Sequence, residues 1–153
     1  MKLFTRVLIA CLAIAPVLSV FAQQVPAEVM ERRAREMHRV IGLNDKVAWE
    51  KFVRENYSPA LIEKPMRAKV TSSVNGATAS SESKTATSIE EKAMLFERLH
   101  SDFGDSKILS LTNKEGSTEM VLQNADGLRG TFDLKFQPEK PYLIDGLGVN
   151  VVN

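Results

Sequence analysis

Histidine and cysteine, the side chains most versatile in proton-transfer, metal and covalent chemistry, are few: two histidines, His38 and His100, and one cysteine, Cys11. His100 and Asp102 spell His-Ser-Asp, the makings of a general base with an orienting carboxylate. Residues two apart on a helix do not face one another, and a histidine in a last helical turn is already favoured by the helix dipole, so no dyad is expected. A metal needs three or four convergent ligands. The two histidines fall on different elements, and Asn-Ala-Asp-Gly at 124–127 has too few acidic groups for a calcium loop, so no metal site is expected. No Gly-x-Ser-x-Gly elbow is present. Gly146-Leu-Gly-Val-Asn-Val lacks the third glycine and the following helix of a dinucleotide fingerprint, so no cofactor is expected either. Asp102, Asp133 and Asp145 are left as candidate proton carriers, should burial raise one of them.

Two short matches have plainer explanations. Asp102-Phe103-Gly104 copies the magnesium-binding tripeptide of protein kinases, but no glycine-rich loop, Val-Ala-Ile-Lys or His-Arg-Asp accompanies it, and a helix ending in glycine accounts for it. Asn56-Tyr57-Ser58 fits a glycosylation acceptor, but Pro59 follows it, and it reads as a helix end.

The elements that must position these residues follow from periodicity. Met30, Ala34, Met37 and Ile41 form one apolar stripe, widened by Val29 and Val40, which predicts a helix from Pro26 to a stop at Gly42. Asn44 is expected to cap a second helix with Trp49, Phe52, Val53 and Asn56 on one face, antiparallel to the first, and Ser58-Pro59 to open a short helical turn. Met66 to Val74 could supply a hairpin arm. Residues 71–88, rich in Ser, Thr and Ala, have little to bury and are expected to form a flexible loop. Ser88 and Glu91 make a capping box ahead of a third long helix, lined by Leu95, Phe96, Leu99 and Phe103 and ended by Gly104.

Beyond Gly104 the period changes from helical to alternating. Lys-Ile-Leu-Ser-Leu-Thr, Ser-Thr-Glu-Met-Val-Leu-Gln, Leu-Arg-Gly-Thr-Phe-Asp-Leu-Lys-Phe and the run from Tyr142 are separated by turns too short for a crossover, which predicts an antiparallel meander. Leu128, Gly130, Phe132, Leu134 and Phe136 alternate with Arg129, Thr131, Asp133 and Lys135, so one face is apolar and the other wet or pocket-lining. The glycines of the last run are expected to permit a bulge or sharp bend. The fold class is therefore α+β: N-terminal helices packed on a curved antiparallel four-stranded sheet, in one domain spanning residues 23–153.

Residues 1–22 are set apart from that domain. Lys2 and Arg6 precede an apolar run from Val7 to Val17, then Ser19 and Ala22 supply small side chains, the layout of a secretory signal peptide cut after Ala22. Leu-Ile-Ala-Cys ending at Cys11 resembles a lipoprotein cleavage box, but cutting there leaves too short an apolar core ahead of it. Secretion to the periplasm or the extracellular space is expected, with no membrane span after cleavage. The domain then has no cysteine, which excludes disulfides and a thiolate nucleophile. Of 20 basic and 19 acidic residues, two basic ones leave with the signal, and the near-neutral balance gives no reason to expect nucleic acid as a partner.

With those residues in place, the order helix, helix, short strand, helix, four antiparallel strands resembles the cone-shaped NTF2-like or cystatin-like superfamily. More narrowly, Trp49 to Lys64, Glu97 to Thr112 and Phe132 to Val149 look like the module found ahead of the catalytic domain in some secreted bacterial serine hydrolases, both β-lactamase-like enzymes and tail-specific-type peptidases. The last strand of that module begins with a Pro-aromatic-x-Ile-x-Gly phrase like Pro141, Tyr142, Ile144 and Gly146. The resemblance covers roughly residues 28–152 and brings no catalytic set with it. It implies a binding or accessory role and says nothing about what is bound; a protein partner or a small ligand is expected, and a homodimer through the sheet is a separate possibility.

If the cone is open, Trp49, Tyr57, Arg67, Arg129, Asp133 and Tyr142 are the residues expected to line it. If it is filled, Trp49 and Tyr142 belong to the core and the arginines to solvent. A small pocket enzyme, an isomerase or hydrolase using a buried carboxylate, and a freestanding regulator of a secreted hydrolase are the competing readings.

Overall fold

In a computed structural model of the chain, residues 24–65, 70–74, 77–81 and 88–152 are described; the expected signal segment and Arg67 lie outside them. The elements run α1 (Ala27–Ile41), α2 (Lys46–Asn56), α3 (Pro59–Glu63), β1 (Val70–Val74), β2 (Ala77–Ser81), α4 (Ile89–Phe103), β3 (Lys107–Lys114), β4 (Ser117–Gln123), β5 (Arg129–Phe136) and β6 (Ile144–Val152). The class is α+β, as the periodicity implies.

Each long helix forms where its apolar stripe and its cap agree. α1 buries Met30, Ala34, Met37, Val40 and Ile41 and turns its charges outward. α2 is capped by Asp45 rather than Asn44: the Asp45 carboxylate accepts from the Val47 and Ala48 amides at 2.9 and 3.3 Å. α3 starts on Ser58, whose hydroxyl accepts from the Leu61 amide, with Pro59 in the first turn where no amide is needed. α4 has both halves of the Ser88–Glu91 capping box.

β3 to β6 form one antiparallel sheet in sequential order, an open meander. Its first two turns need positive φ, and Gly116 (67°) and Gly127 (89°) supply it. The alternation expected along β5 is present: Gly130, Phe132, Leu134 and Phe136 are buried, whereas Arg129, Asp133 and Lys135 are exposed. The expected bulge in the last strand lies at its start, where Ile144 pairs with Phe136 but Gly146 pairs with Lys135, leaving Asp145 as the extra residue.

The core lies between this sheet and the helices. Met120, Leu122, Phe132, Leu134 and Ile144 meet Met37, Ile41, Phe52, Phe96 and Phe103. Phe103 stands edge-on to Phe132 with ring centres 5.5 Å apart, and Gly130 leaves the space: a Cβ there would come within 2.5 Å of the Phe103 ring. Within the stretch expected as a loop, β1 and β2 pair as a separate two-stranded sheet with Val74 opposite Ala77; residues 66–69, 75–76 and 82–87 lie outside the described residues.

Candidate functional site: the outer sheet face and its free edge

Three of the expected site residues go into the packing. Trp49 is 5% exposed, and its indole N–H donates to the Leu43 and Val40 carbonyls at 2.9 and 3.1 Å, tying α2 to the end of α1. Tyr57 ends α2, edge-on to Phe52, and burial pushes its phenol well above the ordinary tyrosine range. Tyr142 is buried in the β5–β6 connection at φ 57°, a left-handed conformation rare for a bulky residue. All three aromatic side chains are buried members of the core cluster.

Arg129 and Asp133 stay together on the outer, wet face of β5 with Thr131 and Lys135. Asp133 lies opposite Glu119 on β4, and Lys114 donates to Glu119 at 3.0 Å. That hydrogen bond first, and the Glu119 charge second, hold the Lys114 ammonium above its usual value. Apart from Val121, opposite Thr131, these positions on β4 and β5 carry charged or polar groups.

The edge beside it is different. β6 is an edge strand, and among the described residues backbone contact on its outer side is made at Ile144 alone, where Tyr57 bridges it and the Ser58 amide donates to its carbonyl at 2.8 Å. The outer-face positions that follow are Gly146, Gly148 and Asn150, opposite Lys135, Asp133 and Thr131. The Lys135 stem lies over Gly146: a Cβ there would meet its Cβ and Cδ at 3.3 and 3.4 Å. On the inner face Val149 and Val151 lie opposite the buried Phe132 and Gly130, yet they are 40% and 45% exposed. The helices do not cover this end of the strand. Neither proline nor charge interrupts Gly146–Val151, the usual protections of an open edge.

None of the three candidate proton carriers lies in a closed apolar pocket. Asp133 and Asp145 are exposed, and Asp102 is half-buried beside Arg98 at 3.9 Å. Asp145 instead accepts from the Ser58 hydroxyl at 2.5 Å, which locks the α2–α3 corner to the bulge of β6. A groove of about 820 Å³ along α1 is open to solvent and lined by both signs of charge, including Arg32, Arg35, Glu28 and Glu36. Among the described residues no three His, Cys, Asp or Glu side chains converge as a metal site would require, and no helix is long and apolar enough to cross a membrane.

Sequence reasoning missed the β6 edge, the Ser58–Asp145 lock and two cations, one half-buried and one buried. Arg33 donates to Asn56 Oδ1 and to the Pro141 carbonyl, and its Nε is buried without a partner among the described residues. Lys92 is fully buried and donates to the Lys64 carbonyl, and desolvation lowers its pKa. The glycines alternating with Leu147 and Val149 were the available signal for the edge, because they leave one face of the strand without side chains. Comparison with family models, with characterised proteins and with solved structures returns no match.

Proposed function

We propose that the protein is an exported, non-catalytic binding module of NTF2-like or cystatin-like build that engages a protein partner by strand addition at β6. The observation carrying this reading is the open β6 edge with Val149 and Val151 exposed beside it. Added strands take affinity from backbone hydrogen bonds and selectivity from alternate side chains. The free backbone edge that follows Ile144 and the two half-exposed valines supply both kinds of contact. The export part of the proposal rests on the layout of residues 1–22, and the family part on the element order and the Pro141–Gly146 phrase.

Affinity capture from the envelope fraction of the exporting cell, with residues 23–153 as bait, tests the reading when run beside a Val149→Lys, Val151→Lys double variant. A charged edge strand resists pairing. Proteins recovered by the parent and lost by the variant, with circular dichroism unchanged, are the expected outcome. Recovery of no protein, together with a small molecule bound in native mass spectra of both forms, would overturn it. N-terminal sequencing of the exported form, expected to begin at Gln23, tests the signal.

A further inference from the structure

We infer that the strand β6 accepts is an extended segment of a partner protein with a basic and an acidic residue two places apart, added antiparallel so that the base lies opposite Gly148 and the acid opposite Gly146. This rests on the reading of β6 as a binding edge and names the chemistry of its occupant. Two charges on the outer face are left over. Lys114 donates to Glu119, and the Asp133 charge is the least of the influences on it. Neither Asp133 nor Lys135 makes an ion pair among the described residues. They stand on β5 opposite Gly148 and Gly146, the positions of β6 that carry no side chain. Their opposite signs are therefore open toward the free edge. The Lys135 stem is laid across Gly146, its Cβ, Cγ and Cδ 3.3–3.6 Å from where a Cβ would stand, which brings its ammonium within reach of a strand added beyond. Asp145, the bulge residue beside Gly146, is turned to the Ser58 hydroxyl instead.

With strands about 4.8 Å apart, an added strand lies about 10 Å from β5, a gap that its long side chains can cross because glycine stands between. A lysine or arginine opposite Gly148 then meets Asp133, and a glutamate opposite Gly146 meets Lys135. On the inner face the residues opposite Leu147, Val149 and Val151 are expected to be apolar, since the two valines are left exposed. Tyr57 and Ser58 occupy the outer edge of Ile144, so the added strand spans Gly146–Val151 and ends or turns away before Ile144. Antiparallel pairing is the more stable direction. It sets the order of the added strand, from its N-terminus, as apolar, polar, apolar, basic, apolar, acidic. Charge therefore selects one register where backbone pairing alone would accept several.

The rival role for Lys135 is a guard that keeps the edge unpaired. The two differ in sign. Fluorescence anisotropy with the exported chain reads binding of a labelled, amidated peptide carrying Val-Thr-Val-Lys-Val-Glu between polar flanks. Exchanging its lysine and glutamate is expected to weaken binding about fivefold at low salt, and so is reversing the order of the whole segment. The Asp133→Lys, Lys135→Asp double variant is expected to prefer the exchanged peptide, a gain that a merely disturbed fold would not give. Gly148→Val puts a side chain between Asp133 and the added base, in a residue type suited to strands, and is expected to keep binding while the preference falls. Lys135→Ala is expected to weaken binding of the first peptide; tighter binding would mean a guard and overturn the proposal. Equal binding of the two exchanged forms, a double variant or Gly148→Val that keeps the parent preference, tighter binding of the reversed segment, or no binding of any peptide overturns it as well. Each of these results leaves the binding-edge reading to be judged by the capture experiment, which does not depend on the charges of the added strand.

Discussion

At the residue scale, two side chains sit where their chemistry is least comfortable. Lys92 is buried on α4 with its ammonium on the Lys64 carbonyl, and burial lowers its pKa from the ordinary 10.5. A base whose folded pKa is lowered binds more protons unfolded than folded. Its cost is thus constant below the folded value and shrinks as pH rises from there toward 10.5. Lys92→Met, close in volume and without charge, is expected to raise the melting temperature at neutral pH by a few degrees, with the gain shrinking toward pH 10. Thermal melts of both forms across that range check the sign. Tyr142 inverts another common order. At φ 57° it occupies a conformation that costs a non-glycine residue about 1 kcal/mol or more. Tyr142→Ala loses the ring and keeps the strain, whereas Tyr142→Gly loses the ring and relieves it. The glycine variant is therefore expected to be the more stable by about 1 kcal/mol in urea unfolding, against the usual ranking of alanine over glycine.

At the element scale, what could be read in the sequence was what depends on near neighbours. The α1 stripe, the Ser88–Glu91 box and the β5 alternation are each written within a few residues, and each is present. The α2 cap moved by one position because Asn44 and Asp45 are both good caps and only the local backbone chooses between them. The β1–β2 hairpin has its signal in Asn75-Gly76, the pair favoured in two-residue hairpin turns, where the shortage of apolar groups suggested a loop. Site residues were harder to read, because the burial of Trp49, Tyr57 and Tyr142 is decided by elements far off in sequence. Tyr57 meets Ile144 only once the whole sheet has formed. Gly130 shows the same dependence: a weak point in a strand by propensity, it is the seat of the Phe103 ring. Gly130→Ala is expected to cost about 2 kcal/mol through overpacking, more than an alanine adds elsewhere in a strand, as chemical denaturation would report.

At the scale of the whole molecule, stability rests on the aromatic and aliphatic layer between helices and sheet. The ion pairs recorded among the described residues are largely exposed, and most join neighbours on one helix, such as Glu36 with Arg39 and Lys51 with Glu55. Such pairs contribute little and are screened. Raising salt from about 0.05 to 0.5 M is expected to move the melting temperature by less than about 2 °C. Differential scanning calorimetry at the two salt concentrations checks this. The order of the layers has a consequence for synthesis. Helices come first and the sheet last, so a nascent chain that has reached Phe103 can pack α2 against α4 through Phe52 and Phe96 but has no sheet to cover their remaining apolar surface. Phe103 waits for Phe132, and Tyr57 for Ile144. The layer between helices and sheet is therefore completed only after β5 and β6 have been synthesised.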